Sequence, residues 1–215
     1  MKSAAELRAD FDRIARASHP DALGPHEAPL LDRLPAGERA LDLGCGTGAV
    51  ARRLASKFAQ VDAIDLSPEM IRIAREHSAS HPNVAYHLAD FTEWLPREPR
   101  YDCITSMAVM HHLDLRTIVP RLVEALKPGG TLLIVDVTSR PGLLDLPLNA
   151  AAWLLQRRAS SELRAAFHEH GKDETYLTPR QARALYAELL PGAEVRAHLL
   201  WRYSVRWINA PHLLM

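Results

Sequence analysis

The chain has 215 residues, with 26 lysines and arginines balanced by 26 aspartates and glutamates, so its formal net charge at pH 7 is zero. This length is enough for one α/β domain with a full core, and we expect a single domain over residues 1–215. Because a balanced charge creates no field that attracts nucleic acid or an anionic membrane, we expect neither as a partner.

The cysteines and the N-terminal residues predict a cytoplasmic protein. Cys45 and Cys103 are too few for a disulfide framework, and we expect both to be reduced. The first residues carry charges at Lys2, Glu6 and Arg8 without the apolar segment of a signal peptide. No uncharged stretch approaches the roughly 20 residues of a membrane span, so we expect a soluble protein. Its oligomeric state stays open between a monomer and a homodimer.

Residues 1–38 are predicted to form a helical cap. Apolar side chains recur at helical spacing from about Ser3 to Ala17, and a second, shorter helix is predicted around Leu30 and Leu34. Two interpretations stay open for this segment. It folds over a bound ligand as part of a lid, or it only covers the sheet.

A strand from Arg39 to Leu43 leads into a turn with three glycines, and a helix follows from Ala49. Glycines separated by one residue let the backbone bend sharply and leave its N–H groups open to a ligand. Gly44, Gly46 and Ala49 fit the dinucleotide fingerprint, which would indicate an NAD(P)-dependent oxidoreductase.

Asp42 favours a different ligand. Its carboxylate lies two residues before Gly44 and would face the negative pyrophosphate of a dinucleotide, whereas an ammonium or sulfonium group suits it. The pattern Asp42-x-Gly44-x-Gly46-x-Gly48 closely resembles the first motif of class I S-adenosylmethionine-dependent methyltransferases. The resemblance implies that the methionine part of the cofactor S-adenosyl-L-methionine is surrounded by Asp42, Gly44, Cys45, Gly46 and Gly48.

A second strand is predicted from Val61 to Leu66, followed by a helix that Ser67 caps. Asp65 therefore lies at the carboxyl end of a strand, where open α/β sheets bind ligands, and its two oxygens can accept both hydroxyls of a ribose. A solvated acid beside a helix N-terminus is the alternative. The resemblance favours ribose binding by Asp65, with Leu66 and Met70 beside the adenine.

A third strand, Val84 to Leu88, is followed closely by Asp90 and Phe91. An acid followed by an aromatic residue can accept a hydrogen bond from the adenine amine and pack against its ring. This pair resembles the adenine motif of the same family, and its order along the chain is the order found in the family.

The fourth strand, Tyr101 to Met107, is apolar enough to be buried on both faces, and two histidines follow it. The resemblance implies that Met107 and the residues after it approach the methionine part of the cofactor and the methyl acceptor. A neutral histidine there can accept a proton from the acceptor. A role in loop packing or hydrogen bonding is at least as well supported by the sequence as a base. Of the two histidines, we name His111 ahead of His112 as the candidate base by a slim margin.

The remaining predicted elements are a helix from Asp114 to Lys127, a strand from Thr131 to Val137, a helix from Thr178 to Leu190, and strands Ala193 to Leu199 and Leu200 to Ile208. Strands separated by helices predict right-handed crossovers and a doubly wound sheet. With the resemblance, the expected fold is an α/β, Rossmann-like methyltransferase fold. Its seven-stranded sheet is mostly parallel, with an antiparallel strand near the C-terminus.

We divide this domain into the cap at 1–38, a cofactor-binding core at 39–138, an insert at 139–172, and the last helix and strands at 173–215. The insert is more apolar than a plain connection requires, with Leu143, Leu144, Leu146, Leu148, Trp153, Leu154 and Leu155. A wall of the substrate pocket is our preferred interpretation, ahead of a dimer face or helix packing on the sheet. Polar candidates in this wall are His168, Glu169, His170 and Tyr176. Their spacing does not favour a metal site, and we expect no metal.

The resemblance implies direct displacement at the sulfonium methyl group, with alignment of the reactants as the main task of the protein. The acceptor stays open between a natural-product intermediate, a quinone precursor and another small metabolite. Balanced charge and the apolar insert favour a small, partly apolar molecule. Two other functions also stay open, an NAD(P)-dependent oxidoreductase and a non-catalytic cofactor-binding protein.

Overall fold

The computed structural model describes residues 4–21, 23–96, 100–139 and 176–210. Its strands are β1 (Gly37–Leu43), β2 (Phe58–Asp65), β3 (Val84–Leu88), β4 (Tyr101–Met107), β5 (Leu126–Val137), β6 (Glu194–His198) and β7 (Arg202–Ile208). Its helices are α1 (Ala4–Ala17), α2 (Glu27–Asp32), α3 (Ala49–Ala55), α4 (Pro68–Glu76), α5 (Phe91–Trp94), α6 (Leu115–Ala125) and α7 (Pro179–Leu189). A 3-10 turn covers Met110–His112.

The strands form one seven-stranded sheet in the order β3-β2-β1-β4-β5-β7-β6. Strands β1 to β5 pair in parallel, and β7 is antiparallel to both β5 and β6. The predicted α/β fold, with its antiparallel strand near the C-terminus, is therefore confirmed. Chain order reverses between β1 and β4, and open α/β sheets bind ligands beyond the carboxyl ends of strands at such a switch point.

Alternate residues of each central strand belong to different hydrophobic clusters, because side chains alternate between the two faces of a sheet. In β1, Leu41 and Leu43 pack in the cluster that includes α6 and α7, while Ala40 packs in the cluster that includes α3 and α4. Helices on both faces bury the sheet and leave its carboxyl edge for the site.

Local signals set the helix starts as the sequence predicts. The Ser67 hydroxyl accepts a hydrogen bond from the Met70 amide at 3.1 Å, which caps α4. At α7, Thr178 and Gln181 form a reciprocal capping box. These caps fix the entry of each helix after a strand or loop.

The predicted boundary between the sixth helix and the fifth strand was wrong. Helix α6 ends at Ala125 and β5 begins at Leu126, five residues before the predicted start. The side-chain amide of Asn209 donates to the Leu126 carbonyl at 2.9 Å, and its backbone exchanges hydrogen bonds with Gly129 and Gly130. Pairing with this distant C-terminal residue holds the segment extended, which local sequence does not reveal.

The predictions for the insert lie largely outside the described residues. These include its apolar residues and the polar candidates His168, Glu169 and His170, whereas Tyr176 is described. Within the described ranges, no helix has the length and apolar character that crossing a membrane requires.

Candidate cofactor and active site

A cavity of about 380 Å³ opens at the carboxyl edge of the sheet. Of the residues predicted to bind the cofactor, eight line it: Gly44, Cys45, Gly46, Asp65, Leu66, Met70, Asp90 and Met107. They come from the ends of β1 to β4, the turns that follow and the first turn of α4. Parallel strands end at one edge, so residues far apart in sequence meet there. The other three predicted residues are placed differently, since Asp42 and Gly48 lie outside the lining and the Phe91 side chain is outside the described part.

The glycine turn presents backbone to the cavity. Gly44 and Gly46 have φ angles of 70° and 52°, a region that favours glycine. A Cβ at Gly44 would overlap the Val109 side chain. The nearest atom to a Cβ at Gly46 would be the Met70 sulfur at 3.9 Å, so the space in front of Gly46 is open for close approach of a ligand.

Gly48 has a structural position instead. It is the N-cap of α3 with a φ of 85°, and a Cβ there would lie 2.5 Å from the Tyr86 hydroxyl. The third glycine of the motif therefore allows α3 to pack closely against β3. It does not line the cavity in the described structure.

Asp65 joins the second strand to the glycine turn. Its carboxylate accepts hydrogen bonds from the Gly46 amide at 2.8 Å and the Ser67 amide at 2.9 Å. Burial raises the pKa of Asp65, and the backbone N–H donors counteract this shift. Each carboxylate oxygen has a second lone pair, so Asp65 retains acceptor capacity toward the cavity that it lines.

Asp42 lies beneath the glycine turn and is 1% exposed. The Thr105 hydroxyl donates to its Oδ1 at 2.9 Å, but its Oδ2 is buried without a hydrogen-bond partner. Burial is the main cause that raises the pKa of Asp42 to about 7, with a contribution from the nearby charge of Asp65. A cationic ligand above the glycine turn would favour the ionised form of this carboxyl.

Cys45 also lines the cavity, and its thiol has no nucleophilic role at neutral pH. Burial raises the pKa of Cys45 well above its usual range, and the carboxylates of Asp65 and Asp42 raise it further. The thiol therefore stays protonated and acts as a small apolar wall.

The two adjacent histidines point in different directions. His112 lines the cavity, and its ring packs edge-on against Phe11 at 5.5 Å between centroids. His111 donates from Nδ1 to the Asp136 carboxylate at 2.6 Å, and both side chains are more than 90% buried. His111 lines a second, smaller cavity of about 240 Å³. The two imidazole rings lie 3.9 Å apart.

The N-terminal segment supplies a large part of the cavity wall that motif analysis did not assign. The lining residues from this segment are Leu7, Phe11, Ile14, Ser18, His19, Leu23, Gly24 and Glu27. The Ser67 hydroxyl donates to Asp12, which fixes α1 beside the N-terminus of α4. Apolar residues of α1 thus line the cavity.

The position of Arg52 was also not predicted from the sequence. It is buried on α3, and its guanidinium donates to the Pro20 carbonyl at 2.6 Å, to Asp21 at 2.8 Å and to the Thr47 carbonyl at 2.9 Å. One side chain therefore ties the glycine turn to the segment after α1. Arg52 stands beside a second arginine, Arg53, on this short helix, and their sequence gives no signal for such a role.

The charges of the cavity distinguish between the candidate ligands. Its described lining contains the carboxylates of Glu27, Asp65 and Asp90, and no lysine or arginine. A pyrophosphate would meet like charge here, whereas a sulfonium would meet opposite charge. The residues present therefore fit S-adenosylmethionine better than a dinucleotide.

Comparisons with known proteins agree with this chemistry. Residues 40–130 match a family model described as a methyltransferase domain. An uncharacterized methyltransferase of Mycobacterium tuberculosis strain H37Rv is 32% identical over 188 residues, which cover 85% of this chain and 93% of that protein. The chain belongs to the class I S-adenosylmethionine-dependent methyltransferases. This methyltransferase uses S-adenosylmethionine as its cofactor.

Two further proteins are similar to this methyltransferase, one over part of its sequence and one in its fold. A ubiquinone biosynthesis O-methyltransferase of Xanthomonas campestris is 35% identical over 121 residues, covering 55% of this chain and 51% of that protein. The structure of DhpI in complex with S-adenosylhomocysteine has a TM-score of 0.65 and 23% identity, covering 96% of this chain and 97% of that chain. The latter comparison shows the shared fold.

Proposed function

We propose that the enzyme transfers the methyl group to an oxygen, nitrogen or carbon atom of a small, partly apolar molecule by direct displacement. The observation that carries this proposal is the apolar roof of the cavity. Leu7, Phe11 and Ile14 of α1 cover the carboxyl edge of the sheet, where a macromolecular substrate would need an open surface.

Named relatives support a small acceptor. One relative is a ubiquinone biosynthesis O-methyltransferase. A second structure, at 25% identity and a TM-score of 0.57, is a phosphoethanolamine N-methyltransferase of Haemonchus contortus in complex with phosphomonomethylethanolamine. It covers 79% of this chain and 37% of that chain, so the likeness concerns one part of the larger protein.

Residues at the strand ends hold the two reactants in this proposal. Asp65 would accept hydrogen bonds from the ribose, Asp90 would hold the adenine, and the Gly44–Gly46 backbone would hold the methionine part. When bound, S-adenosylmethionine supplies a methyl group activated by a sulfonium. The chain contributes alignment and exclusion of water, and alignment alone is worth up to roughly 7–11 kcal/mol in well-oriented systems.

His112 is the histidine that we propose contacts the acceptor. It lines the cavity, whereas His111 is held by Asp136 at 2.6 Å and faces the second cavity. His111 packs against His112 and fixes its ring, which makes His111 a positioning residue. The slim preference for His111 from sequence is thus replaced by a proposal based on which ring faces the cavity.

Transfer of a labelled methyl group tests both the methyl-transfer activity and the class of acceptor. The purified enzyme is incubated with methyl-labelled S-adenosylmethionine and, in separate reactions, with phenols, aromatic amines, bulk RNA and denatured protein. We expect label in the small molecules. Label in RNA or protein with none in the small molecules would contradict the proposed acceptor class.

His112→Ala is then compared with the unchanged enzyme on the best acceptor. We expect kcat to fall about 100-fold, since general acid–base groups typically contribute about 10² to 10⁴, while affinity for S-adenosylhomocysteine stays within about threefold. His77→Ala, on the exposed end of α4, is the matched control. A kcat for His112→Ala equal to that of the control would remove His112 from the reaction.

A further inference from the structure

Glu27 is a cavity residue to which neither the sequence motifs nor the proposed reaction assigns a role. It is the first residue of α2 and lines the cavity. Its Oε2 atom is buried and has no hydrogen-bond partner. The Glu27 side chain as a whole is partly buried. Because a carboxylate that loses its water without gaining a partner is costly, a ligand that fills this end of the cavity must bring a donor for it.

Gly24 makes room for this carboxylate. A Cβ at Gly24 would overlap the carboxylate oxygens of Glu27. The backbone of Gly24 does not have a positive φ, so its conformation alone does not require glycine. The absence of a side chain at this position lets the Glu27 carboxylate lie in the cavity wall.

The position of Glu27 in the fold places it on the acceptor side. The ring of the preceding residue, His26, stacks on His198 at 4.9 Å between centroids. His198 ends β6, at the opposite edge of the sheet from β2 and β3, whose ends carry Asp65 and Asp90. Glu27 therefore lies away from the ribose and adenine carboxylates, toward the end where the methyl group and the acceptor meet.

A cationic group for Glu27 is not provided by the described wall of the cavity. Its described lining contains no lysine or arginine. We infer that Glu27 binds an ammonium group of a ligand at this end of the cavity. Two molecules can bring that group: an amine-bearing acceptor, or the methionine end of the cofactor. The inference rests on the proposed function only if the ammonium group belongs to the acceptor.

Paired ligands separate the two sources. S-Adenosylhomocysteine carries an ammonium, whereas 5′-methylthioadenosine shares its nucleoside and thioether without the amino-acid end. Phenethylamine and 2-phenylethanol form a similar pair for the acceptor side, and both are titrated into protein saturated with S-adenosylhomocysteine. Calorimetry gives a ratio of affinities for each pair.

The variants are Glu27→Gln, Gly24→Ala and the matched control Glu124→Gln, which removes an exposed carboxylate from α6. We expect Glu27→Gln to lower one of the two ratios about tenfold, the value of a charge-assisted hydrogen bond. Gly24→Ala keeps the charge but displaces the carboxylate, so it should lower the same ratio. Glu124→Gln should change neither.

The ratio that changes identifies the source. A change for the nucleoside pair assigns the ammonium to the cofactor, and a change for the phenethyl pair assigns it to the acceptor. Both ratios unchanged in Glu27→Gln and Gly24→Ala, in variants with unaltered melting temperatures, would overturn the inference. Failure of the unchanged protein to bind S-adenosylhomocysteine would instead contradict the cofactor assignment, and this outcome is distinct from a failure of the Glu27 inference.

Discussion

Asp65→Ala is expected to weaken binding of S-adenosylhomocysteine at least about 100-fold. The substitution removes both oxygens available to the ribose, and hydrogen bonds to charged groups contribute roughly 1.5–3 kcal/mol each. It also leaves the Gly46 and Ser67 amides without the carboxylate that positions the glycine turn. Isothermal calorimetry on the folded variant measures the effect.

Asp62→Asn is the matched control for this prediction. Asp62 is a buried carboxylate on the same strand, but it bonds to Arg39 at 2.8 Å and to the Tyr101 hydroxyl at 3.0 Å, outside the cavity. We expect this variant to lose stability while keeping its affinity for S-adenosylhomocysteine. Equal losses of affinity in the two variants would show that β2 packing, rather than ribose binding, explains the Asp65 effect.

Asp42→Asn is expected to change the pH dependence of both stability and binding. In the folded protein the pKa of Asp42 is about 7, above its ordinary value of 3.8. The folded state therefore holds this proton more tightly than the unfolded state. The resulting stabilisation is complete below about pH 4 and is lost as the pH rises through 7, a difference of roughly 4 kcal/mol at most.

Asparagine cannot ionise, so this loss should disappear in Asp42→Asn. Urea unfolding at several pH values between 5 and 8 gives the free energy of unfolding of both proteins. As the pH increases, this free energy should rise in Asp42→Asn relative to the unchanged protein. We expect the difference between the two proteins to grow by about 2 kcal/mol or more over this range. A constant difference would mean that Asp42 ionises as an ordinary exposed acid.

Binding provides a second readout of Asp42. A cationic ligand near Asp42 favours its ionised form, so cofactor binding near pH 7 should release a proton in the unchanged protein and none in Asp42→Asn. Calorimetry in two buffers of different ionisation enthalpy detects this release. Proton release of the same size in both proteins would assign it to another group.

The strand ends were predictable because their signals are local. Apolar runs locate β1 to β4, and parallel strands bring their carboxyl ends to one edge, which is why Asp65 and Asp90 meet the glycine turn in the cavity. Local caps likewise place α4 and α7. The parallel direction of the strands and the spacing of apolar residues within each strand and helix are enough to predict these features.

Contacts across long sequence separations were not predictable. The Arg52 bonds to Pro20 and Asp21, and the Glu27 carboxylate in the cavity wall, depend on how the N-terminal segment folds back over the sheet. The orientations of His111 and His112 depend on a short 3-10 turn and on Asp136 from another strand. Sequence spacing carries no information on which of two adjacent rings faces the ligand.

Titration of the unchanged protein with S-adenosylhomocysteine and, separately, with NAD tests most directly what the cavity binds. Asp65 and the open glycine turn predict micromolar binding of S-adenosylhomocysteine. The carboxylates, with no lysine or arginine in the described lining, predict no measurable binding of NAD, whose pyrophosphate would meet like charge. Binding of NAD without binding of S-adenosylhomocysteine would contradict the assignment of this cavity as a methyl-donor site.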